Sequence, residues 1–269
     1  MKDNAKVSAV MCTYGRFKCV ERAMNCFLSQ TYPNKELIIF NTDIDSPYLE
    51  DEGLYKHNVK VYNNNIDFET HLPYTNVGAI RRDALTYATG DYVVTYDDDD
   101  IFMPYFMEQG INRMKETGLP SFKPEKSFFY VGNNLCLVKN TLEASVIADI
   151  NKIREYGYLL ETGKEGLSWY TKMRDNKELN ENDSFYLPSY CFNWNDGAEM
   201  LAPHKQSGDI NNIENFENHK KASLDKVDGR QLKIHGIDYM NDVVFRDYYY
   251  YLYCREEELD KTLVDLYLY

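Results

Sequence analysis

Residues 90–100 read GDYVVTYDDDD. Four carboxylates stand directly behind an apolar, β-branched run of the kind that forms a buried strand. Adjacent like charges repel, and burying a bare carboxylate costs several kcal/mol or shifts its pKa. A run of charge is usually a solvated face. This run instead follows a core strand, and in open α/β sheets ligands bind beyond the carboxyl ends of the strands. Hard divalent cations take oxygen ligands, magnesium typically one or two carboxylates plus substrate phosphates. The stretch therefore raises the question of a metal–phosphate site.

Upstream, KVSAVMCTY (6–14) reads as a strand ended by Gly15, and 16–31 as a helix with Phe17, Val20, Met24, Phe27 and Leu28 at helical spacing, closed by YPN. KELIIF (35–40) and NVKVYNN (58–64) are two more strands, and NVGAIRRDALTYATG (76–90) is a helix with Gly90 as its stop. The order strand–helix–strand–strand–helix–strand predicts a mostly parallel sheet flanked by helices. Downstream, 128–140 reads as a strand or strand pair, 141–158 as one helix, 165–176 as a shorter helix and 184–197 as extended chain. Beyond about residue 205 the chain turns polar and Asn-rich, then closes with a partly helical stretch around 255–266. The simplest partition is a catalytic domain over 1–204, with a nucleotide-binding half (1–100) and an acceptor half (101–204), followed by a C-terminal extension, 205–269.

With 43% apolar residues the chain can bury a core and does not read as disordered. Its net charge of −13 gives no support to a default nucleic-acid binder, which needs a basic face. The six cysteines form no CxxC pair, so they read as free thiols in a reducing compartment. The N-terminal apolar run is too short for a signal peptide, and nothing approaches a span of ~20 apolar residues. A cytoplasmic protein is expected.

VSAVMCTYGRFKCVERAMNCFLSQTYPNKELIIF (7–40), GAIRRDALTYATGDYVVTYDDDD (78–100) and the later NEND (180–183) together resemble the family 2 glycosyltransferases of the GT-A fold, over roughly residues 6–205. The resemblance implies inverting transfer of a sugar from a nucleotide diphosphate, with manganese or magnesium on the diphosphate. The family's DxD motif falls on Asp97, Asp98 and Asp99: Asp99 as metal ligand, Asp97 as ribose or second metal partner, Asp98 as the free middle position. The chemistry agrees, since a metal stabilises the charge of a departing diphosphate without proton transfer, and the implied dication, with solvent, would share the four carboxylates.

Tyr14 matches an aromatic packed against the base, with Thr13 beside it, and Arg81 matches the arginine of the family's ARN-like helix start. Arg82 replaces the usual asparagine and reads either as a partner of the nucleotide or as a solvated charge. Where the family shows paired aspartates after the second strand, this chain has Asn41 and Thr42, with Asp43 one step later, so uridine is an expectation resting on Asn41 or Asp43. The general base that takes the acceptor's proton matches Asp183, whose alternative role is a helix N-cap. His204, in APHKQSG, resembles a histidine that reaches the metal or diphosphate, and Trp169 and Trp194 read as sugar-stacking or core residues.

The expected function is metal-dependent transfer from a nucleotide-sugar, UDP-sugar as donor, to a hydroxyl acceptor, a saccharide first. One alternative acceptor is a hydroxymethylated base in DNA, as for a phage-encoded enzyme; 219–233 is the only stretch with enough Lys and Arg to line a phosphate track. A non-catalytic nucleotide-sugar-binding module is the alternative from another class. Retention of Asp99 and Asp183 argues against it.

Overall fold

The run ahead of the aspartates lies inside the central sheet. The structure is a computed structural model that describes residues 4–48, 54, 56–131, 134–140, 142–160, 164–180, 189–193, 233–234 and 237–238. Its strands are β1 (Val7–Thr13), β2 (Lys35–Asn41), β3 (Val59–Asn63), β4 (Tyr92–Thr95), β5 (Ile101–Phe102), β6 (Ser121–Phe122), β7 (Lys126–Val131), β8 (Asn134–Lys139), β9 (Ile147–Asp149) and β10 (Tyr190–Asn193). Its α-helices are α1 (Phe17–Leu28), α2 (Val77–Ala84), α3 (Phe106–Thr117), α4 (Ile150–Tyr156) and α5 (Leu167–Asp175).

The main sheet runs β3-β2-β1-β4-β9-β6, with the first four strands parallel and β9 antiparallel to both β4 and β6. Alternation along each strand feeds two apolar layers. Val7, Ala9 and Met11 of β1, Leu37 and Ile39 of β2 and Val94 of β4 face α1 and α3. Val10, Ile38, Phe40 and Val93 face α2, α4 and α5. A sheet covered on both faces needs such continuous apolar strands, which is why the runs lack polar alternation. A second sheet, β5-β10-β7-β8, stands beyond the aspartates.

The expected strands and helices of the first hundred residues are present. Helical turns end at Tyr87, after a short 3₁₀ segment and before Gly90. Residues 128–140 fall in the antiparallel pair β7–β8. The single helix expected over 141–158 divides: a 3₁₀ turn at Glu143–Ser145, the buried strand β9, then α4, capped by Asp149 accepting from Asn151 N at 2.8 Å. β-branched Ile147 gains more from pairing with Val94 of β4 than from helix. Trp169, at 2% exposure, belongs to the apolar cluster on the α2, α4 and α5 side of the sheet and is no sugar platform. Within 205–269 the structure describes only an antiparallel pair, β11 (Lys233–Ile234) with β12 (Ile237–Asp238), so the helix expected around 255–266 lies outside the described residues.

Candidate active site

β1, β2 and β4 end side by side, and the chain after β4 turns at once, Asp100 N donating to Asp97 O at 3.3 Å before entering β5. The four aspartates are thereby packed into a corner, and three of them are buried. Each has its own partners. Asp97 accepts from Arg81 Nη2 at 2.9 and 3.2 Å. Asp98, at 0% exposure, accepts from Thr13 Oγ1 at 2.6 Å and pairs with Arg16 Nη2. Asp99 Oδ2 accepts from Arg16 Nη1 at 3.1 Å, while its backbone carbonyl accepts from Arg22 and Asn193. Asp100, at 1% exposure, accepts from the Tyr190 hydroxyl and from Asn193 N at 3.1 Å.

This corrects two expectations. Arg16 and Arg81 offset the charge of the run, and Thr13, Tyr190 and the backbone N–H of Asn193 donate to it, in the place expected for solvent. Asp98 is not a free middle position: both its oxygens are engaged, and it ties the end of β1 to the end of β4. Burial pushes the Asp97 carboxyl up to about 6 and that of Asp98 up to about 7, with Arg81 and Arg16 respectively opposing the rise. Asp100 is raised well above the usual range by burial and then by the charge of Asp99. Burial opposes the charge on Arg81, yet Asp97, Glu165 and Glu143 outweigh it and hold the guanidinium protonated.

A cavity of about 380 Å³ opens over this corner, lined by Thr13, Arg16, Thr42, Arg81, Asp97 and Asp99 among others. Arg81 enters it from the fifth position of α2, more than a turn past the helix start where the sequence put it. Asn76 caps that helix by accepting from Ala79 N at 2.8 Å. Arg82 pairs with Asp67 of the preceding loop at 2.7 Å and with Asp83 of its own helix at 2.8 Å, so it is not a merely solvated charge.

At the end of β2 the structure separates two candidates. Asn41 is fully buried; its Nδ2 donates to Asp43 O, Ser46 O and Asn63 Oδ1 at 2.8–3.0 Å, and its Oδ1 accepts from Gly15 N and Asp43 N. With its donors and acceptor used up, Asn41 builds the turn and has nothing left for a base edge. Asp43 is half-buried beside Gly15. Gly15 has φ 61°, and a Cβ there would meet Asp43 Oδ2 at 2.3 Å, so only glycine lets this carboxylate close on the end of β1. Tyr14 is half-buried just past β1. Asp183, His204 and Trp194 lie outside the described residues.

Sequence reasoning passed over Arg16, Glu143, Glu165 and Tyr190. For Arg16 a signal existed: it is the one cation in the turn between β1 and α1, at the same sheet end as four carboxylates. Glu143 and Glu165 carried none, being brought to within 3.7 and 3.5 Å of Arg81 Nη1 by the folding of separate segments. Cys12 also lines the cavity; burial pushes its thiol up to about 12, so it is no nucleophile.

Asp97 and Asp99 are hard oxygen donors on one cavity wall, and among the described residues no three His, Cys, Asp or Glu side chains converge on a point. That partial set fits a divalent cation whose remaining ligands come from a bound diphosphate.

Residues 8–125 match the family described as Glycosyl transferase family 2. An uncharacterized glycosyltransferase of Haemophilus influenzae is 26% identical over 121 residues, 43% of this chain and 35% of that protein. The putative glycosyltransferase EpsE of Bacillus subtilis is 27% identical over 111 residues, 41% of this chain and 39% of that protein. The match thus spans little more than a third of these relatives' length. Among solved structures, S. aureus TarS 1-349 in complex with UDP-GlcNAc aligns with TM-score 0.55 at 16% identity, over 73% of this chain and 61% of that one. Glucosyl-3-phosphoglycerate synthase from Mycobacterium tuberculosis aligns with TM-score 0.50 at 14% identity, over 76% of this chain and 77% of that one. The shared architecture is the GT-A fold.

Proposed function

From the premise that residues 8–125 form a family 2 glycosyltransferase domain in the GT-A fold, we propose that the protein transfers a sugar, with inversion, from a nucleoside diphosphate donor to a hydroxyl acceptor. The observation that carries the reading is the cavity at the carboxyl ends of β1, β2 and β4, where Asp97 and Asp99 stand among the arginines Arg16 and Arg81. Carboxylates and guanidiniums together suit a diphosphate that arrives with a divalent cation. Asp99, with Asp97 beside it, would hold that cation, and His204 is a further candidate ligand. When bound, it would offset the charge that develops on the departing diphosphate.

The chain's own groups do the rest. Arg81 and Thr13 set the positions of Asp97 and Asp98, Asp43 and Tyr14 receive the base, and Asp183 takes the acceptor's hydroxyl proton. UDP-sugar is the donor proposed, supported by the UDP-GlcNAc named for the TarS structure of like fold. A saccharide is the acceptor proposed, served by residues 101–204. The test is a screen of nucleoside diphosphate sugars for nucleotide release with manganese, followed by mass analysis of products. Release from a UDP-sugar that depends on an added saccharide supports the proposal. Tight binding without turnover of any donor would make the chain a binding module.

A further inference from the structure

Arg16 meets the aspartates with two arms of unequal freedom. Nη2 pairs with Asp98, which is fully buried and also held by Thr13, so that end is an anchor. Nη1 reaches 3.1 Å to Asp99 Oδ2 on the cavity wall. Nε is buried and has no hydrogen-bond partner. A buried donor left unpaired costs about 1–3 kcal/mol, so an acceptor that reaches it is favoured. Asp99 Oδ1 accepts no hydrogen bond among the described residues, so the carboxylate already holding Arg16 still has an oxygen open to a second cation.

We propose that Arg16 couples cation binding to donor binding: it neutralises Asp99 in the empty site and turns Nη1 and Nε onto the donor diphosphate once a divalent cation takes that carboxylate. This rests on the glycosyltransferase reading above. A dication and a guanidinium on one carboxylate repel each other across a few ångströms, which weakens cation binding while the site holds no anion. A diphosphate removes that penalty by accepting from the released arginine, with the Asp98 anchor limiting how far the side chain must move. Each ligand therefore tightens the other, and by linkage the factor is the same in both directions.

The test measures Mn²⁺ affinity calorimetrically with and without UDP, in wild type, Arg16→Gln and Arg16→Lys. Wild type should bind Mn²⁺ weakly alone and more tightly with UDP. Arg16→Gln should bind Mn²⁺ more tightly without UDP, and the factor by which UDP helps should fall roughly tenfold, within the ~5–150-fold span usual for coupled sites. Arg16→Lys keeps the charge but cannot hold Asp98 and reach the cavity together, so its coupling should also fall. A residue that merely neutralises Asp98 would leave the coupling factor alone, so an unchanged factor in either folded variant overturns the proposal. Absence of Mn²⁺ binding to wild type even with UDP overturns the cation reading and the coupling with it. UDP release and sugar transfer without Mn²⁺ would mark that case as distinct from failure of the glycosyltransferase reading.

Discussion

Two arginines, one tyrosine and one threonine make four adjacent aspartates tolerable, and they divide them by role. Asp98 and Asp100 are structural, each with both oxygens engaged inside the protein. Asp97, Asp99 and Asp100 line the cavity, and of these Asp97 and Asp99 keep partly exposed side chains, at 24% and 9%. Asp99→Asn should therefore remove most of the Mn²⁺-dependent rise in melting temperature that UDP produces, a stabilisation of about 2.7 kcal/mol at 100 times the dissociation constant. A full shift in the variant would move the cation elsewhere. Asn41 and Asp43 separate in the same way. Asn41→Ala should lower stability by roughly 1–3 kcal/mol, since it strips hydrogen bonds from a buried turn. Asp43→Ala should leave the melting temperature near wild type while weakening UDP binding. Asp183→Asn should fold and bind donor normally, with transfer down by roughly 10²–10⁴, the usual worth of a general base. Undiminished transfer, or a product of retained configuration, would remove Asp183 from that role.

At the level of elements, the site depends on tight connections at the carboxyl ends of parallel strands. The β1–α1 turn carries Gly15 in the left-handed region so that Asp43 can close on the end of β1 while Arg16 reaches Asp98 and Asp99. Gly15→Ala should cost about 1–3 kcal/mol in backbone strain, and displacing Asp43 should weaken UDP binding further; chemical denaturation and calorimetry would read the two effects separately. The segment 141–158 illustrates how an element escapes local reading. Its apolar spacing suited a helix, but β4 offered an unpaired edge, and Ile147 and Ala148 filled it. That choice carries Glu143 to the cavity.

Across the whole molecule, buried carboxylates paired with cations stand at both ends of the parallel sheet. At the amino end, fully buried Glu36 accepts from Lys6, Ser8, Lys60 and Thr89 at 2.7–3.1 Å. Burial alone would raise its carboxyl, and these bonds outweigh that and bring it down to about 2. Its folded pKa thus lies below the unfolded one, so its stabilisation is complete above about pH 4.5 and is lost as the pH falls towards 2. The amount at stake is roughly 3 kcal/mol. Acid unfolding of Glu36→Gln should start from lower stability at neutral pH and lack this part of the pH dependence. Identical acid profiles for variant and wild type would show that the network contributes nothing net.

The apolar strands, the helix faces and the strand–aspartate junction were legible in the sequence, because burial on both faces of a parallel sheet writes a local pattern. The DDDD run and the segments that resemble the family pointed to the sheet end at which the cavity opens. Which aspartate faces ligand was not legible, since Asp98 and Asp99 are neighbours in sequence and only the positions of Thr13, Arg16 and Tyr190 tell them apart. The same holds for Asn41, whose partners come from two turns and the end of β3, and for Trp169, which is buried in a cluster assembled from separate helices and strands. Local periodicity determines what a segment can become; charge pairing and burial, set by contacts between different segments and up to 85 residues apart for Thr13 and Asp98, decide what each polar side chain is free to do.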